Sequence, residues 1–309
     1  MASESSAALE KTRGAPPARL VAFFLFIIPP LLWAGNFIVG RAIRNDIPPA
    51  TLTFFRWLVA LVVIFPFAAP FVRRDFRRYL QVPLRIIALS LSGITAFSLL
   101  VYYGLHHTSG TNALLLNSCV PILIMLFGAL FYQQRLGGLQ VAGIAVSFCG
   151  VLVIIFRGSL QGLMQLAFSS GDVMLLGAMA SFALYTLWLR KLPAEINRMG
   201  LLWVQVLITL LVVSPLWLHE HISGLAVQWN TTTLSAVLFL GVCPSFISYW
   251  FYGRCVETIG AARAGLCIHL IPVFGVVLSL LFLGEPFRLF HLAGIAAIIA
   301  GVTLASRKV

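Results

Sequence analysis

Ten apolar runs, each bounded by charge, proline or glycine, constrain this chain more than any other feature. They fall at 20–40, 50–71, 84–104, 111–132 and 137–156 and, after a polar break over 157–170, at 172–189, 200–218, 232–252, 261–283 and 287–305. Crossing the hydrocarbon core of a bilayer takes about 20 apolar residues at about 1.5 Å each. Within that core a segment must satisfy its own backbone groups, and for runs of this length a helix does so. The expected fold is therefore an all-α membrane protein of ten transmembrane helices.

Composition agrees and removes alternatives. The chain has 309 residues, 60% hydrophobic and 10% charged, whereas soluble domains are about a quarter charged. Ten spans leave no room for a soluble domain of useful size. The net charge of +12 would suggest nucleic acid in a soluble protein. Here the basic residues sit at the ends of apolar runs, which is membrane orientation, so no nucleic-acid partner is expected. Residues 1–19, rich in Ala, Ser, Pro and charge, read as a disordered cytoplasmic tail. The first run lacks a small-x-small cleavage site and reads as a retained span. Five cysteines lie in or beside apolar runs, with no C-x-x-C and no His/Cys zinc spacing, so no metal or cofactor is expected.

With a cytoplasmic N-terminus, the outside segments carry only Arg41, Arg44, Arg157 and Arg288. Arg56 lies within a span, and the rest of the 21 Lys and Arg residues fall inside. That asymmetry predicts a multi-pass protein of the inner (plasma) membrane with both termini cytoplasmic.

The two halves are related. Adding 149 places Arg41 on Arg190, Leu58 on Leu207, Leu61 on Leu210, Pro66 on Pro215 and Tyr103-Gly104 on Tyr252-Gly253. Adding 151 places Ala113 on Ala264, Pro121 on Pro272, Leu130-Phe131 on Leu281-Phe282, the Ala-Gly-Ile-Ala of 142–145 on that of 293–296, and Gly150-Val151 on Gly301-Val302. A two-residue insertion between the third and fourth helices reconciles the offsets. Each half holds five spans, an odd number, so the second must enter the membrane upside down. Two inverted five-helix repeats, over 20–157 and 170–308, are a common plan of secondary transporters.

The chain resembles the drug/metabolite transporter superfamily, specifically its members built of two EamA-type domains. The resemblance is carried by Leu32-Trp33-Ala34-Gly35-Asn36-Phe37 in helix one and by Pro48-Pro49-Ala50 running to Phe55-Arg56-Trp57-Leu58 in helix two. The proline-centred helices four and nine, Leu283-Gly284-Glu285 and the repeated Ala-Gly-Ile-Ala complete it. It implies a ten-helix basket around a central cavity, alternating access, and export of amino acids, nucleobases, sugars or drug-like compounds. The first half has Tyr132-Gln133-Gln134 where the second has Leu283-Gly284-Glu285, so it supplies no paired acid at those helix ends.

Intramembrane polar groups nominate the site. A central Arg costs about 2.5–3.5 kcal/mol on insertion scales and faces a cavity or a partner. Arg56, about seven residues into helix two, is thus a candidate for a substrate carboxylate or phosphate, with a buried structural Arg as the alternative; its counterpart is Gln205. His269, mid-helix nine and opposite Ser118, is the candidate for proton coupling, or else a neutral histidine held by one hydrogen bond. No Asp or Glu is central in any span; Asp172 and Glu285 read as solvated or capping groups.

Polar and aromatic stripes at helical spacing mark cavity faces: Trp33, Asn36 and Gly40; Thr95, Ser98 and Tyr102; Ser181, Tyr185 and Trp188; Ser245, Ser248, Tyr249 and Tyr252. Interhelical hydrogen bonds and interfacial belts are the competing roles, and the belt suits Trp188 and Tyr252. Pro121 and Pro272 each remove a backbone hydrogen bond. Broken helices line transporter sites, so helices four and nine, with Asn117, are expected as cavity walls and moving elements.

Other classes lack their chemistry. There is no H-E-x-x-H, G-x-S-x-G or central Asp pair for an intramembrane enzyme, no P-loop for a primary pump, and no charge ring or filter loop for a channel. The expected function is a secondary carrier that exports or exchanges a small metabolite such as an amino acid, with protons as a candidate coupling ion. Efflux of lipophilic drugs is the alternative.

Overall fold

A computed structural model describes residues 18–108, 110–134, 137–159, 161, 164, 169–283 and 288–306, and among these it contains ten helices long and apolar enough to cross a membrane. Residues 1–17 of the tail, Arg135, Gly284, Glu285, Arg307 and Lys308 lie outside the described residues. The first repeat comprises α1 (Ala18–Ala42), α2 (Pro49–Gln81), α3 (Pro83–His107), α4 (Gly110–Asn117 and Val120–Tyr132) and α5 (Gly138–Ile155). The second comprises α6 (Ser170–Arg190), α7 (Arg198–Ile222), α8 (Thr231–Ile259), α9 (Ala261–Gly265 continuing through Leu266–Leu270 to Ile271–Leu283) and α10 (Leu289–Ser306). An even number of crossings brings both ends of the described chain to one face, called here the terminal face; the other is the distal face.

Local chemistry sets the helix ends. Proline at the first positions opens α2. A capping box of Ser169 and Asp172 opens α6, and Asn197 and Asn230 cap α7 and α8. Gly260, at φ 88°, ends α8 in a conformation only glycine adopts without strain. The second span runs ten residues beyond its expected end at 71, so Arg73, Arg74, Arg77 and Arg78 are helical rather than loop. No glycine or proline interrupts 71–81, and Arg74 and Arg78 both fold onto Asp75 within that turn.

Side chains such as Val62, Phe131 and Leu211 stand more than 60% exposed. An apolar belt of this kind is what lipid solvates.

Among the contacts between the repeats, those of two antiparallel helix pairs are the most extensive. In α5 and α10 the backbones touch: a Cβ built on Gly143 would lie 2.4 Å from Ala305 N, and one on Gly301 2.4 Å from Ser147 N. In α2 and α7 each helix ends in a buried carboxylate that caps the other. Glu220 accepts from Ala50 N (3.0 Å), Thr51 N (2.8 Å), Thr51 Oγ1 (2.8 Å) and Tyr103 OH (3.0 Å) at the distal face. Asp75 accepts from Asn197 N (2.9 Å) and two arginines at the terminal face. Hydrogen bonds to a charged acceptor are each worth about 1.5–3 kcal/mol, so Glu220→Gln is expected to lower stability by roughly that amount. Thermal unfolding in detergent measures it; an unchanged midpoint would mean that the carboxylate contributes nothing.

The irregularities obey the same symmetry. Wide π-helical turns span Ser90–Ala96 in α3 and Gly241–Ile247 in α8, 151 residues apart and so within two residues of the 149 that relates these helices. The helices containing Pro121 and Pro272 are both interrupted, at 118–119 in α4 and by a tight 3-10 stretch, Leu266–Leu270, in α9. Mid-helix irregularities of this kind are frequent at functional sites and hinges.

Candidate functional site

Arg56 is 3% exposed and is held by neutral groups from three other helices. Its Nε donates to Ser245 Oγ on α8 (2.8 Å), and its Nη1 donates to Asn36 Oδ1 on α1 (3.0 Å) and to the Tyr102 hydroxyl on α3. Tyr102 in turn donates to Asn36 Oδ1 (2.9 Å), and Ser245 donates to the Leu240 carbonyl (2.6 Å), to which Pro244, four residues on, has no N–H to offer. The α8 irregularity thus aims Ser245 at the guanidinium. Trp57 and Tyr102 lie beneath it, with ring centres 5.0 and 5.3 Å from Cζ. Among the described residues no carboxylate pairs with Arg56. The network engages Nε and Nη1 and leaves the charge uncompensated.

Asn36 also borders a central space with Trp33, Phe97, Asn117, Phe182 and Ile268. Its open volume is about 10 Å³, near the minimum of about 10–15 Å³ for one water. The walls are aromatic: Trp33 meets Phe182, Tyr249 and Tyr252 with centroids 5.5, 5.8 and 5.2 Å away, and Tyr249 meets Trp57 at 5.3 Å. Asn117 Nδ2 is buried without a hydrogen-bond partner. A buried donor left open in this way costs about 1–3 kcal/mol and is a ready contact for an incoming acceptor.

The structure brings Trp33, Asn36, Arg56, Ser98, Tyr102, Tyr185, Ser245 and Tyr249 into one cluster, with Asn117 at its edge. Ser98 accepts from Trp57 Nε1 (3.0 Å), Tyr249 donates to Gly93 O (2.6 Å), and Tyr185 lies across the bare face of Gly93 in the α3 π turn. His269 stands apart, fully buried where α4, α5 and α9 meet. Its Nε2 faces Ser118 O (2.9 Å) and must carry a hydrogen; its Nδ1 faces Ser147 Oγ (2.6 Å). Because 118 and 269 correspond in the repeat, this bond lies on the pseudo-two-fold axis and ties the two interrupted helices together. Pro272 borders a second cavity of about 240 Å³ near the distal face, between α1, α4, α5, α9 and α10. Pro121 is buried against Gly265.

Other stripe residues are placed differently. Tyr252, expected in an interfacial belt, is wholly buried and bonds Thr186 Oγ1 (2.9 Å). The reason is that α8 continues seven residues past it to Ile259. Thr95 joins Thr209 (3.0 Å) and Ser181 joins Ser92 O (3.0 Å), both as interhelical links. Asp172 is the capping group expected, and is buried. Sequence reasoning passed over Trp57, Phe97, Phe182 and Glu220. Phe97 and Phe182 carry no signal beyond being aromatic in an aromatic-rich chain, and Trp57 was noted only as part of the Phe55–Leu58 segment.

An EamA-like transporter family model matches residues 20–156 and again 169–307. A solved crystal structure superposes with a TM-score of 0.71 at 19% identity, covering 93% of this chain and 95% of that one, which establishes a shared fold. Curated relatives include a probable amino-acid metabolite efflux pump of Salmonella typhimurium, 27% identical over 90% of this chain and 92% of its own. A probable terminal-alkyne amino-acid exporter of Streptantibioticus cattleyicolor is 28% identical over 93% and 94%. The uncharacterized transporter YetK of Bacillus subtilis is 26% identical over 87% and 81%. With both halves matched and ten membrane-spanning helices arranged as an inverted repeat, this chain belongs to the EamA-like transporter family, within the drug/metabolite transporter superfamily, as a multi-pass membrane transporter.

Proposed function

We propose that this transporter exports or exchanges small metabolites bearing a carboxylate, amino acids foremost, by alternating access. The observation that carries the reading is Arg56: a buried cation without a counter-ion among the described residues, bonded through Asn36 to an aromatic-walled space on which the open donor of Asn117 also borders. In a medium of low dielectric such a cation favours an anion over a neutral or cationic solute. The names of two relatives, both concerned with amino-acid export, support the same class. The central space holds no more than a water, so the two repeats, 20–157 and 170–308, must part to admit a substrate. The terminal face is the cytoplasmic one in the inner membrane, a reading that the Lys and Arg asymmetry supports.

Proton coupling through His269 is a second part of the proposal, favoured by its place on the axis between the interrupted helices. Lipophilic drug efflux is the alternative, favoured by the aromatic walls alone.

The test is efflux from proteoliposomes preloaded with labelled amino acids, with and without a pH gradient. Saturable efflux is expected, and amino-acid amides, which lack the carboxylate, should compete at least about tenfold more weakly than the parent acids. Amides or lipophilic cations that compete as well as the acids would refute the carboxylate reading. An imposed pH gradient that leaves the rate unchanged would remove His269 from the cycle.

A further inference from the structure

At the terminal face the ends of α3, α4 and α6 enclose a groove of about 350 Å³ lined by Leu84, Arg85, Ala88, Tyr132, Trp188 and Lys191. Two of its six residues are cations and none is acidic. Neither Arg85 nor Lys191 forms an ion pair among the described residues. The Lys191 ammonium sits 3.4 Å above the centre of the Tyr132 ring, which holds the charge at the groove wall while leaving the residue exposed. Tyr132 and Trp188 are half-buried, with the aromatic character of the headgroup level.

Leading away from the groove, Leu84, Ile87 and Leu91 form one exposed apolar stripe up α3, at 79%, 41% and 38% exposure. Any ligand matched to both features has an anionic head and a long apolar tail. A soluble anion matches the cations and ignores the stripe; a neutral lipid matches the stripe and ignores the cations. We propose that this groove is a binding site for the headgroup of an anionic phospholipid of the leaflet at the terminal face, with an acyl chain along the α3 stripe. Basic pockets between transmembrane helices are a recognised way to hold such headgroups. The site bridges the repeats, since α3 and α4 belong to one and α6 to the other. A lipid seated there favours the state in which these three helix ends stay together, and it acts apart from the central cluster around Arg56.

The experiment uses the purified full-length protein in detergent, with thermal unfolding and native mass spectrometry as readouts. Phosphatidylglycerol or cardiolipin should raise the unfolding midpoint and stay bound, while phosphatidylcholine should do neither. In R85Q/K191Q the binding of the anionic lipid should weaken roughly tenfold or more and the rise in midpoint should vanish. R73Q/R77Q, which removes two exposed cations elsewhere on the same face, should keep both effects. If R85Q/K191Q does not fold, the exposed Lys191 alone carries the comparison: K191R should retain the lipid and K191Q should lose it. Equal retention of phosphatidylcholine, or full retention of anionic lipid by the charge-removed variants, overturns the proposal. The same rise in midpoint from inorganic phosphate or glycerol phosphate overturns it in favour of a soluble anion.

Discussion

Leucine in place of Gly143 is expected to abolish the accumulation of folded protein, at a cost above about 3 kcal/mol. The added Cβ alone would stand 2.4 Å from Ala305 N and 2.6 Å from Gly301 O, which are backbone atoms of α10. A flexible side chain can swing away from an intruding methyl group; a helix backbone must move as a body. Doing so would separate α5 from α10 along the contacts of Gly150 with Gly294 and of Ser147 with Gly301, so one substitution opens a whole interface. Inside a bilayer no hydrophobic effect restores it, because helix association there rests on close packing. Gly138, at the start of the same helix, has nothing within 4 Å of its would-be Cβ, so Gly138→Leu should leave the protein folded. Size-exclusion profile and unfolding midpoint in detergent separate the two. A monodisperse Gly143→Leu with the wild-type midpoint would show that the pair is not in close contact.

This interface shows why so much of the fold was legible. Bilayer thickness forces run lengths, so ten spans could be counted; the Ala-Gly-Ile-Ala runs of 142–145 and 293–296, read as a sign of the repeat alone, turn out to lie where α5 and α10 touch. The proline pair 121 and 272 likewise located both helix interruptions. The π turns were not read: Gly93 in Ser90–Ala96 and Pro244 in Gly241–Ile247 are poor helix formers, but neither residue type tells a widened turn from a kink. Arg56 was found because a charge in lipid needs a reason, and Asn36, Tyr102 and Ser245 because they recur at helical spacing. Glu220 was missed for a related cause. It follows the end of an apolar run, between His219 and His221, where a carboxylate looks solvated. Its four donors come from α2 and α3, more than a hundred residues earlier.

Arg56→Gln is expected to reduce carboxylate transport at least about a hundredfold, or ~2.8 kcal/mol, while leaving the unfolding midpoint near that of the wild type. The two halves of that expectation have separate grounds. Stability should survive because every partner of Arg56 is neutral: Asn36, Tyr102 and Ser245 already bond one another or a carbonyl, so no buried charge is left stranded when the guanidinium goes. The repeat offers a precedent, since Gln205 occupies the matching place in α7 and is itself buried. Transport should fail because the amide cannot supply the net charge that draws a carboxylate out of water, nor the paired donors that a guanidinium presents to it. Arg56→Lys keeps the charge and loses the fork, so its rate should fall between the two. The discriminating pair of measurements is the rate of efflux and the unfolding midpoint on the same preparation. A fall in both together would make Arg56 a structural group, and wild-type efflux by a stable Arg56→Gln would move the substrate site elsewhere in the bundle.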